Sequence, residues 1–96
     1  MAQNISPVMF MVTYIMKDQN NEILWANDKL FYTYPAALGY LFEKIYKREN
    51  QVWTPNKDAI GDAWDYVCDA YTFTDARGYH YECILKGIPM KESEKN

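Results

Sequence analysis

The segment NKDAIGDAWDYVCDAY, residues 56–71, decides the fold because it carries two patterns at once. Ile60, Trp64, Val67 and Tyr71 recur at spacings of four, three and four, which at about 100° per residue place them on one helical stripe. Asp58, Asp62, Asp65 and Asp69 repeat that spacing on the opposite side of the same helical wheel. A helix is expected here, packed by its apolar stripe and wet along its acidic one. The competing reading is a strand through residues 63–74 with Trp64, Tyr66 and Cys68 on one face, and Gly61 and Val67 weaken the helix. The helix is preferred because two opposed stripes agree.

Immediately upstream, Thr54 precedes Pro55. Proline suits the first turn of a helix, where its missing N–H has no partner to lose, and a threonine hydroxyl can cap the free N–H groups. Thr33, Tyr34 and Pro35 give the same signal earlier. The helix they open has Leu38, Leu41, Phe42 and Ile45 on its inward face, Glu43, Lys44 and Lys47 on the other, and a stop near Asn50.

Before that helix, VMFMVTYIMK (residues 8–17) reads by twos, and both of its faces are largely apolar, as in a strand covered on each side. DQNN (18–21) is a turn, and EILWANDKLFYTY (22–34) returns as a strand, with Ile23 and Trp25 opposed to Leu24 and Ala26 and an interruption at Asn27 and Asp28, as a bulge or a second turn. After the second helix, YTFT, DARG and YHYECILK (71–86) form a hairpin in which Gly78 supplies the positive φ of the loop. Tyr79, Tyr81, Cys83 and Leu85 share one face; His80, Glu82 and Lys86 share the other with Ile84, and Gly87 and Pro89 end the strand. The expected fold is α+β, a four-stranded antiparallel sheet with helices on one face, in the order β-β-α-α-β-β.

The chain of 96 residues, 49% hydrophobic and 24% charged, is read as a single domain over 1–96 with a frayed charged tail at 90–96. Ten basic residues against 13 acidic ones give a net charge of -3, and Arg48 and Arg77 are the only arginines, which argues against direct nucleic-acid binding. No apolar run approaches the roughly 18 residues of a membrane span, and the N-terminal segment lacks the basic start of a signal peptide. A cytoplasmic setting is expected, with Cys68 and Cys83 as unpaired thiols.

Chemistry-bearing patterns are sparse. His80 and Glu82 could pair as base and orienter with Cys68 or Cys83 as nucleophile, but Cys83 should point to the opposite face. Three Cys and His residues at scattered spacing make no zinc set, the calcium-loop order of acids is absent, and the four glycines are isolated, so no metal and no cofactor is expected. The acidic stripe stands out, because like charges at i,i+4 cost a helix roughly 0.2–0.5 kcal/mol per pair. The expected function is a non-catalytic protein-binding module. It would occupy a basic surface of a partner through Asp58, Asp62, Asp65 and Asp69 with the exposed Tyr66 and Tyr40, as inhibitors encoded by phages and mobile elements do. The alternative is a homodimer that binds a small molecule or nucleotide between Trp53, Arg77, Tyr79 and Tyr81. Dimerisation through an open sheet face would also cover the methionines Met9, Met11 and Met16 of the first strand.

Overall fold

Two apolar faces put the first strand inside a sheet, with a neighbour on each side, where both of its faces can be covered. The computed structural model describes residues 7–46, 52–61 and 64–89, with Pro7 and Val8 by backbone alone. Strand β1 (Pro7–Lys17) pairs antiparallel with β2 (Ile23–Phe31) on one side and with β5 (His80–Pro89) on the other. β5 pairs in turn with β4 (Val67–Thr74), and β4 with the two-residue β3 (Thr54–Pro55). The sheet is antiparallel and five-stranded, in the order β2-β1-β5-β4-β3. The α+β antiparallel fold is as expected; the fifth strand was not.

Helix α1 (Tyr34–Ile45) starts as its sequence predicts: the Ala36 N–H donates to the Thr33 hydroxyl at 3.3 Å, and Pro35 occupies the first turn. The helix buries Ala37, Leu41 and Ile45 against Val12, Cys83 and Leu85. The expected stop at Asn50 lies outside the described residues, and so does the tail at 90–96.

Helix α2 (Lys57–Gly61) is short and lies across the other face, where Ile60 packs with Ile15, Ala70 and Ile84. Residues 12, 83 and 85 point one way and 15, 70 and 84 the other, so the sheet carries a core on each face. The expectation that the helices share one face is therefore corrected. Both sides of β1 are apolar because each has its own helix to meet.

The helix expected over residues 56–70 is likewise corrected. After Gly61 one further turn-like bond, Trp64 N–H to the Ile60 carbonyl at 3.1 Å, carries the chain on, and at Tyr66 a positive φ of 62° turns it into β4. Ile60, Trp64 and Val67 do pack together, as the periodicity implies, but from a helix, a loop and a strand. The run Val67 to Phe73 is rich in β-branched and aromatic residues, and pairing with β5 outweighs its helical period. Thr54 and Pro55 form the edge strand instead of a helix start, since an edge strand tolerates proline; the Asn56 carbonyl accepts the first α2 bond, from the Ile60 N–H.

Two turns follow their side chains. The Asp18 carboxylate accepts from the N–H groups of Asn20 and Glu22, with Asn21 at φ 68° closing β1 to β2. Gly78 at φ 87° closes the hairpin of β4 and β5 as expected. No bulge interrupts β2 at Asn27 and Asp28: they pair in register with Tyr14 and Thr13, and the Thr13 hydroxyl donates to Asp28 at 2.8 Å, which lets the buried threonine satisfy its polar group. β5 also runs on through Gly87 to Pro89.

Candidate functional site

The residues expected to form one acidic surface fall on separate elements. Asp58 is exposed on α2, Asp65 is exposed in the loop before β4, and Asp62 lies outside the described residues. Asp69 stands on the α1 face of β4, where its carboxylate accepts the Tyr34 hydroxyl proton at 2.6 Å. That hydrogen bond, with burial and the carboxylate charge adding to it, pushes Tyr34 up to about 12. A continuous stripe needs one helix through all four acids, and β4 begins before the last of them. Tyr66 is half exposed as expected. Tyr40 is half buried: its ring lies 5.3 Å from that of Phe31, with the ammonium groups of Lys29 and Lys44 at 5.3 and 5.1 Å.

The four residues of the alternative site do meet. Trp53 packs its ring 6.4 Å from that of Tyr81, and Arg77 lies 4.3 Å over the ring of Tyr79. The Arg77 guanidinium donates to the Tyr81 hydroxyl at 3.1 Å and to Asp75 at 2.8 Å, and Tyr81 donates to the same carboxylate oxygen at 2.9 Å. The other Asp75 oxygen accepts the N–H groups of Arg77 and Tyr79. Partial loss of water pushes the Asp75 carboxyl up, but these hydrogen bonds together outweigh it and hold the group at about 2. Tyr14, Trp25 and Phe73 extend the aromatic group, with neighbouring centroids 5.6–5.9 Å apart and rings meeting at edges or tilted. The rings fill the end of the α1 face beyond the helix, and Arg77 is already neutralised by Asp75.

His80 and Glu82 share the α2 face as expected, yet each is held by a different partner. The Thr74 hydroxyl and His80 Nδ1 are 3.0 Å apart, and Lys17 donates to Glu82 at 3.1 Å in a mostly buried ion pair. They line an open polar depression of about 260 Å³ with Asn21, Asn56, Thr72 and Thr74. Cys83 lies on the opposite face, fully buried, and burial pushes its thiol up to about 12. Cys68 and Cys83 are free thiols, and among the described residues no three His, Cys, Asp or Glu side chains converge as a metal would require.

The least expected surface is β2. Among the described residues it is the outermost strand at one end of the sheet, and its outer edge, nine residues long, meets no other strand. Trp25 on the α1 side and Leu24 and Leu30 on the α2 side leave half or more of their surface in solvent, as does Ile23, which the extra residue Leu24 sets opposite Lys17 on the α2 side, and Tyr32 beyond the strand is 83% exposed. Apolar residues on both faces of EILWANDKLFYTY were the available signal. Sequence periodicity alone does not separate a covered strand from an uncovered edge. No described helix is long and apolar enough to cross a membrane. Comparison with known proteins finds no family model, no curated protein and no solved structure that matches the chain.

Proposed function

We propose that the chain is a non-catalytic protein-binding module whose contact surface is the free edge of β2 together with Ile23, Leu24, Trp25 and Leu30. The observation that carries this reading is a long edge strand with apolar side chains left in solvent on both faces. The strand is already ordered by β1, so a partner meets a formed template, and burying the exposed half of each aliphatic side chain contributes about 1 kcal/mol. Asp69 is held by Tyr34 on the α1 side and so leaves the acidic stripe, and the binding role is placed on this edge in preference to the acidic residues. The narrower expectation of a phage or mobile-element inhibitor draws nothing from the geometry.

A double variant, Leu24→Lys with Leu30→Lys, tests the proposal. Both side chains are already half in solvent, so circular dichroism and the melting temperature should stay close to wild type, while cross-linking of cellular proteins through a photoreactive residue at position 32 should be lost. Unchanged cross-linking by the folded double variant removes the reading.

The cluster of Arg77, Tyr79, Tyr81 and Trp53 favours a second reading, a site for a planar aromatic ligand on its outer rings. Such a ligand should raise the melting temperature in a nucleotide screen, and Arg77→Ala should abolish the rise; a screen without any shift excludes it.

A further inference from the structure

We infer that the occupant of the β2 edge is β2 of a second copy of this chain, paired antiparallel about Asn27, so that two five-stranded sheets join into one. This rests on the reading of β2 as a binding edge and names its partner.

The two ends of the sheet are treated differently. At one end β3 has two residues and contains Pro55, which shortens the edge and removes a donor, as expected of an edge protected from further pairing. At the other end β2 offers nine residues without proline, and its one irregularity against β1 is the extra residue Leu24, opposite the step from Met16 to Lys17 near the turn. The edge is about 30 Å long at roughly 3.4 Å per residue.

Self-pairing constrains the register. An antiparallel pair related by a twofold axis must have that axis normal to the sheet, so like faces adjoin and a single residue sits opposite itself. Centring on Asp28 sets two carboxylates face to face. Centring on Ala26 places Leu24 against the partner's Asp28. Centring on Asn27 is the arrangement that engages the whole strand. Leu24 then meets the partner's Leu30 on the α2 side, and on the α1 side Trp25 meets the partner's Lys29, whose ammonium lies over the Tyr40 ring in the single chain and can pass to the indole. Neither charge of the strand faces its like, and Asp28, already held by the Thr13 hydroxyl, lies opposite the partner's Ala26. Leu24, Trp25 and Leu30, three of the four exposed apolar side chains of β2, each gain a neighbour in this one register.

Nine residues a side make less than a standard interface, so the dimer should be reversible and concentration-dependent. Sedimentation equilibrium of the full chain, from micromolar to millimolar, should show monomer passing to dimer. Leu24→Lys/Leu30→Lys sets lysine against lysine across the axis and should remain monomeric, as should Leu24→Glu/Leu30→Glu. An equimolar mixture of the two variants sets lysine against glutamate and should recover the dimer. Asn27→Cys supplies an independent check that does not perturb the apolar residues: opposed strand positions lie within the Cα separation of a disulfide, and mild oxidation with diamide should give a covalent dimer that wild type and Ala26→Cys do not. Wild type that stays monomeric throughout overturns the dimer, as does a dimer that persists in both charged variants. In the first case, loss of cellular cross-linking by the lysine variant still supports a binding edge with another occupant, whereas retained cross-linking ends both readings.

Discussion

At Asp75 one carboxylate holds a turn by three kinds of donor: a guanidinium, a phenol and two backbone N–H groups. Its pKa is depressed from 3.8 to about 2, so the stabilisation it gives is fully present above the ordinary carboxylate range and is lost as pH falls through about 2. Asp75→Asn keeps an acceptor but loses the charge that Arg77 and Tyr81 address. The variant should melt below wild type at neutral pH, and the difference in melting temperature should shrink between about pH 4 and pH 2. A gap that stays constant over that window would place the contribution of Asp75 in its shape alone.

Tyr66 shows where reading by element succeeds and where it stops. Helix α1 was legible because cap, proline and apolar period at Thr33, Pro35 and Leu41 all agree, and the last hairpin because Gly78 sits where a positive φ is needed. Residues 56–71 carry two conflicting local preferences, and the hairpin that Gly78 closes decides between them by carrying β4 back past Tyr71 to Val67 against Lys86, a length of pairing that the turn signal does not set. The break itself falls on Tyr66, a residue type with no preference for its φ of 62°. The alternative site was legible as a set, since Trp53, Arg77, Tyr79 and Tyr81 meet, but the mutual pairing of Arg77 and Asp75 was not. The acidic site was illegible for the same reason as the helix. Because the Tyr66 ring is half exposed, backbone conformation should dominate substitutions there: Tyr66→Gly should be close to neutral, while Tyr66→Val, which is β-branched, should cost about 1–2 kcal/mol by denaturant unfolding. Equal losses in both variants would show that ring contacts set the stability at this position.

The two cores meet only through the sheet, because β1 and β5 each send alternate side chains into both. Val12, Cys83 and Leu85 belong to the α1 core, while Ile15 and Ile84 belong to the α2 core, and Ile84 and Leu85 are adjacent in sequence and both fully buried. A cavity on one face therefore loosens strands that the other face needs in place, and the chain should unfold as one unit despite its divided interior. Ile84→Ala removes a side chain from the α2 core alone and should cost about 2–5 kcal/mol. Native-state hydrogen exchange gives the decisive comparison. If the cores are coupled, the slowest amides of α1, on the opposite face, should lose the same protection free energy as those of β4 beside the substitution. If the α1 amides keep their protection while β4 opens, then α2 and β4 form a separately unfolding layer, and the central strands hold α1 without help from the far side.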